Sequence, residues 1–536
     1  MNKVYEPINW QNEKEGGTAL NASNLNKMDV ALNEIDNRVV ELNSDLGNEV
    51  KRAVERENEI EELFSLPTQE AVNKWLVEHP EATTTVQDGS LTEEKIQSDF
   101  LLNIKNDYVT PQMFGAVGDG VTDDTMAFQR AIDSGCSLFV PLQRGQKYLI
   151  KRTINVPLQR TAIYGDLMVT DGAYFSTSYH KGCIVFEPEN EDAVLFNFNN
   201  VHCSIANVRA QCVKSYKGVF ASFANSEDIT NVDGSMFNCS VRGFKIAVLH
   251  TGRGLFCEQN LFHSNKYDIK IIIPSDDSWK DNTGDVTAYL QTHPELVGRS
   301  CRIINNRFHV TDDYNLWVCG EASTIDNVTV YPTLKGAIIT NNMSDLGRGS
   351  YYFDCNLSEC IFANNTSFRC EEVSFIQVQH EVDRCVFNGN TVRGSRLEVE
   401  TKYPKIFFGV KNIKNTVISD NVVSDIRGNF VYSWASGSMK DCAIVSNIIA
   451  DIGFDDTLAE HERSAIVFNN GENVMISNNI FNIDNNFDGC CVKPINTNAV
   501  WVDVTISNNS IKHGVAAFSA PTNAASQRNN IQPNNI

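Results

Sequence analysis

The sequence predicts a mainly β protein, a right-handed parallel β-helix over residues 108–536, preceded by an N-terminal α-helical coiled coil. Two observations predict this fold class. A short motif, an apolar strand that ends in one or two Asn, recurs along most of the 536-residue chain. Apolar residues also follow a heptad pattern between Leu25 and Leu63. A repeat with a regular period is typical of a solenoid, and sustained heptads are typical of a coiled coil.

The composition narrows the classes of partner. Hydrophobic residues make up 42 % of the chain and charged residues 21 %, as in ordinary folded proteins. The formal net charge of −22 argues against nucleic acid as a partner, because a polyanion binds a basic surface. No apolar run reaches about 18 residues, so we expect no membrane span, and no secretory signal opens the chain. The 15 Cys lack CxxC pairs, which favours reduced core thiols made in a reducing cytoplasm.

Residues 24–66 are predicted to form the coiled coil. Steps of three and four residues separate the apolar positions over several heptads, which favours a coiled coil over a lone helix packed on its own domain. The two seam positions hold Leu25, Leu32, Val39, Leu46, Ala53 and Ile60, and Met28, Ile35, Leu42, Glu49, Arg56 and Leu63. We expect a homotrimer, by analogy with other stalks that carry a β-helix.

Two motifs near the N-terminus resemble known tail proteins. Trp10 with the run from Asn21 to Met28, and the linker from Trp75 to Ser90, are similar to segments of tail proteins from phages and prophages of Gram-positive bacteria. The resemblance implies that residues 1–23 are a tail-attachment segment that binds tail or baseplate proteins. It also implies that residues 67–107 are a small linker domain ahead of the β-helix.

The stretch from Tyr108 to Thr125 and the apolar-faced segment Met126–Ile132 predict a Gly-rich turn followed by a capping helix. Thr122 or Asp123 is the expected N-cap. This stretch resembles the entry of pectate-lyase-like β-helices, which occur in phage tailspikes and in family-28-type glycosidases. The Asp residues of this turn are expected to shape it and to cap the helix rather than to act in catalysis.

The Asn motif marks the corner of each coil. Asn tolerates the left-handed conformation of a sharp bend, and its amide can bond the equivalent Asn about 4.8 Å away on the next coil. The intervals of roughly 23 to 36 residues suit a solenoid with three strands per coil. The eight clear copies end at Asn306, Asn342, Asn365, Asn390, Asn421, Asn447, Asn479 and Asn509, and weaker copies end at Asn207, Asn238 and Asn260.

One face of the predicted β-helix is expected to carry a stripe of aromatic side chains. Strand alternation directs Trp317, Tyr352, Phe408 and Tyr432 outward, and Trp434 follows Tyr432 on the same strand. Aromatic rings beside carboxylates suit sugar rings, so Trp317, Tyr352, Tyr432 and Trp434 are the predicted carbohydrate-binding residues. Aromatic residues also dominate subunit interfaces, so a contact between trimer subunits stays open as the alternative.

Three carboxylates on successive coils are the predicted catalytic residues: Asp312, Asp354 and Glu371. Glycoside hydrolysis uses two carboxyl groups about 5 Å apart for retention or about 6.5–9.5 Å apart for inversion. Adjacent coils lie about 4.8 Å apart and alternate coils about 9.6 Å, so these positions satisfy the spacing between coils. The long insertion at residues 275–294 is a second candidate, as a sugar-binding or lid loop.

No cofactor is expected, and no metal site either. His309, His380 and His461 are not grouped as metal ligands are, and each is expected to be a surface or packing residue.

Together these features predict a phage tail protein, a tailspike or baseplate-attached receptor-binding protein that recognises a bacterial surface polysaccharide. Two alternatives stay open: a depolymerase that hydrolyses or eliminates glycosidic bonds, and a structural or receptor-binding component without turnover. The stalk and the missing signal peptide disfavour a free-standing pectinase-like enzyme. The predicted location is the virion tail. The protein is expected to be synthesised in the host cytoplasm and to act at the outer surface of the target bacterium.

Overall fold

The computed structural model describes residues 22–65 and 108–532 apart from short internal segments, the longest of which are 167–181, 224–233, 274–296 and 395–405. The chain divides into two units, Met1–Ile104 and Lys105–Ile536. The predicted insertion at residues 275–294 lies outside the described residues. None of the described helices has the length and apolar character needed to cross a membrane.

In the first unit, the described residues form one long helix, α1 (Ala22–Ser65). This helix covers the predicted coiled-coil segment. Five apolar seam residues whose burial is described face solvent in the single chain, and Ile35 is 57 % exposed. The association of α1 with further copies stays a prediction. The exposed seam side chains are Met28, Leu32, Ile35, Val39 and Leu42.

The second unit is a parallel β-helix, as predicted. Each strand pairs in parallel with its equivalent one turn earlier and one turn later, so that Ile338–Thr340, for example, lies between Arg302–Ile304 and Ile361–Ala363. A chain that repeats this step builds long sheets whose inner faces stack into one core. The one antiparallel pair among the described strands is a hairpin of Ser323–Ile325 with Val328–Val330.

Face 1, which follows the Asn corner, is a sheet of 14 strands. Its strands are Asp119–Asp123, Lys147–Ile150, Cys183–Phe186, Arg209–Cys212, Ser240–Arg242, Leu261–His263, Arg307–His309, Met343–Asp345, Thr366–Phe368, Thr391–Arg393, Val422–Ile426, Ile448–Ile452, Ile480–Asn482 and Ser510–Lys512. The chain then turns into face 2, whose strands are Ile154–Val156, Val194–Phe198, Lys217–Phe223, Phe244–Thr251, Tyr267–Ile272, Tyr314–Cys319, Gly349–Asp354, Ser374–Asp383, Ile406–Lys414, Val431–Val445, Ile466–Val467 and Val492–Lys493.

Face 3 leads back to the Asn corner. Its strands are Tyr108–Val109, Ser137–Val140, Ala162–Gly165, Cys203–Ala206, Gly234–Phe237, Leu255–Glu258, Arg302–Ile304, Ile338–Thr340, Ile361–Ala363, Val386–Asn388, Val417–Ser419, Thr505–Ser507 and Asn530–Ile531, with the ends of Val431–Val445 and Asn470–Ser477. From Val297 onward a short additional strand joins faces 2 and 3, and we call these strands the linking strip. The prediction had only three strands per coil. Separate strands of this strip are Val297–Arg299, Thr333–Lys335, Asn356–Ser358 and Trp501–Val502.

A capping helix, α2 (Thr125–Asp133), covers the first turns and buries Phe128 and Ile132 against the core. Its N-cap is Asp124, not the predicted Thr122 or Asp123. The Asp124 carboxylate accepts hydrogen bonds from the backbone amides of Val117 and Gly118, at 2.7 and 3.1 Å. Asp124 therefore binds the preceding Gly-rich turn and caps the helix, as expected for an acidic residue of this turn.

At each Asn corner, two neighbouring residues have different roles. The first Asn of a pair makes the bend, and Asn305 has a left-handed φ of 57°. The second Asn is buried, and the Nδ2 of Asn306 donates a hydrogen bond to the Oδ1 of Asn342 at 3.1 Å. The same amide-to-amide bond links Asn260, Asn306, Asn342, Asn365, Asn390, Asn421, Asn447, Asn479 and Asn509.

The helix has more turns than the eight predicted from Asn motifs. Face 1 alone has 14 strands. At earlier corners Asn207 and Asn238 take positive φ, but Val208 and Cys239 follow them where later coils have a buried Asn. The cysteines behave as predicted: the 14 in the described part of the chain are thiols rather than disulfide partners, and 12 of them are buried.

Candidate functional site

Four aromatic side chains on face 2 form what we call the aromatic patch: Tyr267, Tyr314, Trp317 and Tyr352. All four are half-buried. On strand Tyr314–Cys319, Leu316 and Val318 are fully buried, so alternation turns Trp317 outward. Register then aligns Trp317 with Tyr352 on the next coil, and Tyr267 with Tyr314 on adjacent coils.

The rings of the aromatic patch contact one another. The centroids of Tyr314 and Tyr352 lie 4.8 Å apart at an interplanar angle of 18°, and those of Tyr267 and Trp317 lie 4.9 Å apart. The Lys270 Nζ is 3.9 Å from the centroid of the Trp317 ring, a cation–π contact. The patch thus presents ring surface beside a cation, and the ring contacts restrict the side-chain conformations.

Hydrogen bonds hold the edge of the patch nearest the corner between faces 1 and 2. Burial raises the pKa of Tyr267, and the hydrogen bond that the Tyr267 hydroxyl donates to Asp313 raises it further. Directly inside, the buried carboxylate of Asp268 accepts hydrogen bonds from Asn265, Thr311 and Asn315, at 2.9, 2.5 and 3.1 Å. These hydrogen bonds lie on the inner side of the patch and hold in place the starts of the strands that carry Tyr267 and Tyr314.

Tyr432 lies in the same outward column as Trp317 and Tyr352, but further along the helix. Two intervening coils place Gln377 and Gly409 between Tyr352 and Tyr432. Three coil spacings amount to about 14 Å. The prediction that Phe408 shares the stripe is wrong, because Phe408 is fully buried in the core.

Tyr432 and Trp434 belong to a second, smaller group. The ring centroids of Tyr432 and His461 are 6.2 Å apart, and His461 lies in the short helix α3 (Glu460–Arg463). Burial raises the pKa of Tyr432, and the negative charge of Glu462 raises it further. Trp434 is half-buried on the same strand as Tyr432. The structure therefore brings Trp317 together with Tyr352, and sets Tyr432 and Trp434 apart from them.

The three predicted catalytic carboxylates do not form one described cluster. Asp312 precedes strand Tyr314–Cys319, whereas Asp354 pairs in register with Cys319 at the far end of that strand. Five strand residues separate these two levels by roughly 16 Å, beyond the spacing of about 5 to 9.5 Å that glycoside hydrolysis requires. The coil assignment holds, but Asp312 and Asp354 are not a catalytic pair. Glu371 lies outside the described residues.

A side chain not predicted for this site contacts Asp354. The Nε2 of His380 lies 3.2 Å from the Oδ1 of Asp354, and the Tyr331 ring stacks on the imidazole with centroids 3.3 Å apart. His380 was expected to be a surface or packing residue. Asp354 follows Tyr352 by two residues on the same strand, so this group adjoins the aromatic patch. Among the described residues, no three His, Cys, Asp or Glu side chains converge as metal ligands do.

The chain is similar to known proteins of the predicted kinds, namely a pectate-lyase-like family and phage proteins. Residues 110–283 match the model of the family described as rhamnogalacturonase A/epimerase, pectate lyase-like, which confirms the resemblance at the entry of the β-helix. A depolymerase described as capsule K30/K69-specific, from Klebsiella phage K64-1, is 29 % identical over 27 % of this chain and 19 % of its own length. The pre-neck appendage protein of Bacillus phage B103 is 28 % identical over 24 % of this chain and 14 % of its own.

The chain thus spans less than a fifth of the length of these two phage relatives. Among solved structures, the pre-mature gene product 12 of bacteriophage phi29 aligns with 82 % of this chain and 58 % of its own, at 12 % identity and a TM-score of 0.41.

Proposed function

We propose that this protein is a phage tail appendage that binds a bacterial surface polysaccharide along face 2 of its β-helix. The aromatic patch carries the proposal. Tyr267, Tyr314, Trp317 and Tyr352 present stacked, half-buried rings, with Lys270 and Asp354 as polar neighbours. Sugar rings offer apolar C–H faces for such rings and hydroxyl groups for the polar neighbours. The similarity to two phage proteins, one described as a capsule-specific depolymerase, supports the same assignment.

Binding is expected to depend on the rings of the patch. Trp317→Ala and Tyr352→Ala should each weaken binding to a polysaccharide about tenfold, because loss of a stacking ring in a binding site costs about 1.4 kcal/mol. The measurement is biosensor binding of the full chain to capsular and wall polysaccharides purified from a panel of bacteria. The matched control is Phe237→Ala, which removes a ring that is 39 % exposed on face 3.

Two results would contradict the binding proposal. One is that no polysaccharide of the panel binds the wild-type chain. The other is that Trp317→Ala leaves binding unchanged and alters the oligomeric state instead, which would make the patch a contact between subunits.

The proposal includes a homotrimer held by α1 and attached to the phage tail through the N-terminal segment. The exposed seam of α1 supports it, since apolar side chains at heptad spacing are normally buried against further helices. The full chain should sediment at three times its 59.8 kDa mass. Ile35→Glu places a charge in the seam and should shift the protein towards monomer, as measured by sedimentation velocity.

The matched control for the seam is Val30→Glu. Val30 is 63 % exposed and lies outside both heptad positions, so the same charge should leave the oligomer intact. A wild-type chain that sediments as a monomer, or equal dissociation by the two variants, would rule out association through this seam.

A further inference from the structure

The corner between faces 3 and 1 carries a surface that is almost free of charge, which we call the corner ridge. Each of seven successive coils contributes four positions to it: the two outer positions of the face 3 strand, the corner residue and the first outer position of face 1. Only one of these residues is charged, Asp420, although 21 % of the whole chain is charged. The first outer positions of the seven coils are Ile338, Ile361, Val386, Val417, Ala443, Met475 and Thr505. A surface so poor in charge is typical of the centre of a protein interface.

Two columns of apolar side chains run along the ridge, one on each side of the corner. On face 3, Ile361, Val386 and Val417 are aligned in register, and on face 1 Val422 is aligned with Ile448. These five side chains are between 36 % and 41 % exposed in the single chain. Alternation explains the exposure, because the residue after each of them is buried in the core. The ridge therefore repeats a similar apolar profile at the coil spacing of about 4.8 Å.

The charges of these coils lie at the neighbouring corner instead, between the linking strip and face 3. Each coil places two residues at that corner, and nine of these fourteen residues are charged. Some of them pair between coils: the Nζ of Lys335 lies 3.3 Å from the Oε1 of Glu359, and that of Lys440 lies 2.9 Å from the Oε1 of Glu472. The nine are Lys335, Glu359, Asp383, Arg384, Lys414, Lys440, Asp441, Glu472 and Asp503. Both corners bound the same short strands, so the charge is distributed by position around the coil.

The size of the ridge decides what kind of partner can cover it. Seven coils extend over about 30 Å and the four positions over about 15 Å, which amounts to roughly 450 Å². A stable interface buries about 800 Å² on each partner, so the ridge alone is too small to hold a free protein. Its partner must be held nearby by a second contact. Copies of this chain joined through α1 meet that condition, because such a link raises the local concentration of their β-helices to about the mM range.

The two apolar columns suit a ring of three copies. In a cyclic trimer every copy contacts both neighbours, and it does so through two different patches. A corner that points at the threefold axis supplies these patches from its two sides: the face 3 column of one copy packs on the face 1 column of the next. Parallel copies have the same coil spacing, so that side chains at one level meet their counterparts all along the ridge.

We propose that the corner ridge is the contact between the β-helices of three copies of this chain, with the Asn corners gathered around the threefold axis. This inference rests on the homotrimer proposed through α1. The corner between faces 3 and 1 is opposite face 2, so this arrangement turns the aromatic patch of each copy away from the axis. The patch is then open to a polysaccharide and is not a contact between subunits.

The test places one thiol on the ridge of the full-length protein. Ser446 is an exposed corner residue of the ridge with a left-handed φ of 59°, and Ser446→Cys keeps its size. A short bismaleimide should convert most of the chains to covalent dimers on denaturing electrophoresis, because three copies of residue 446 meet near the axis. The wild-type chain measures the background from native thiols, of which 12 of the 14 described are buried.

The matched control is Ser264→Cys. Ser264 also has a left-handed φ, of 50°, but it lies at the corner between faces 1 and 2. That corner is away from the axis in the proposed trimer, so this variant should form no more dimer than the wild type. Labelling with a monofunctional maleimide checks that both introduced thiols react.

A charge on the ridge should weaken the trimer. Ile448→Glu should raise the dissociation constant of the trimer about 100-fold in sedimentation at serial dilution, since an unpaired carboxylate would be buried against apolar side chains. Val213→Glu is the control, because Val213 is 49 % exposed and follows strand Arg209–Cys212 at the corner between faces 1 and 2. It should leave the dissociation constant unchanged.

The outcomes separate this inference from the proposed function. A wild-type chain that sediments as a monomer would rule out the homotrimer and the ridge contact together. A wild-type trimer in which Ser446→Cys gives no more dimer than Ser264→Cys, or in which Ile448→Glu keeps the wild-type dissociation constant, would exclude the ridge contact while association through α1 stands. If Ile448→Glu keeps the trimer and loses polysaccharide binding, the ridge belongs to the polysaccharide and this inference is wrong.

Discussion

Replacing Asn390 with Ala should lower the free energy of unfolding by about 4 kcal/mol. The fully buried Asn390 side chain donates to the Oδ1 of Asn421 at 2.9 Å and to the carbonyl of Phe362 at 3.0 Å. Its Oδ1 accepts from the backbone amide and the side-chain amide of Asn365, at 3.1 and 2.9 Å. Ala removes all four bonds and leaves buried polar groups unpaired on both neighbouring coils, at a cost of about 1–3 kcal/mol each, offset in part by relaxation.

The measurement is guanidinium denaturation followed by far-ultraviolet circular dichroism. Asn388→Ala is the matched control, because the Asn388 side chain is partly exposed and bonds Ser419 and Asp420 at the surface. Its loss should cost less than about 1 kcal/mol, the usual value for an exposed hydrogen bond. Equal destabilisation by both variants would show that the buried position has no special role.

This ladder is the part of the fold that the sequence predicts best, because a solenoid repeats one local requirement many times. Each corner needs one residue in the left-handed conformation and one buried amide that bonds both neighbouring coils, and Asn meets both requirements. The earlier turns carry only weaker copies of the motif, because Val208 and Cys239 stand where the later turns have the buried Asn. Where the core accepts a hydrophobic residue instead, the first Asn of the corner is the remaining marker.

The candidate site was predictable by coil but not by position along the strand. Spacing from the Asn corner placed Trp317 and Tyr352 on neighbouring coils, where they pair in register. Spacing also placed Asp312 in the loop before its strand and Asp354 on the next strand, but it did not take into account how far apart these two levels lie along the strand direction. Alternation failed at Phe408 because Phe407 and Phe408 are both fully buried, so the outward position passes to Gly409.

His380 escaped prediction for a related reason. Its partner Asp354 belongs to the preceding coil, and the extra residue after Val378 reverses the alternation of the strand locally. A bulge of one residue leaves no compositional trace in a short β-strand. The contact between Asp354 and His380 therefore depends on the register between two coils. Sequence spacing defines that register only where the corners of both coils carry recognisable residues.

Asp268 is expected to make the stability of the β-helix depend on pH. Burial raises the pKa of this carboxyl from its ordinary 3.8 to about 7, although hydrogen bonds from Thr311, Asn265 and Asn315 oppose the shift. Because the pKa is higher in the folded state than in the unfolded chain, the folded state holds the proton more tightly. This contribution is greatest at acidic pH, falls as the pH rises from about 4 to about 7, and is constant above that.

The expected loss of unfolding free energy between about pH 5.5 and about pH 8.5 is about 2 kcal/mol, and this range stays above the isoelectric point near 4.9. Asp268→Asn cannot titrate, so its stability should lack this fall, whatever its absolute value after the buried network rearranges. Asp312→Asn, which changes a partly exposed carboxylate of the same corner, should keep the wild-type dependence. If Asp268→Asn and the wild type lose equal stability over this range, Asp268 is already ionised at the lower pH and the three hydrogen bonds outweigh its burial.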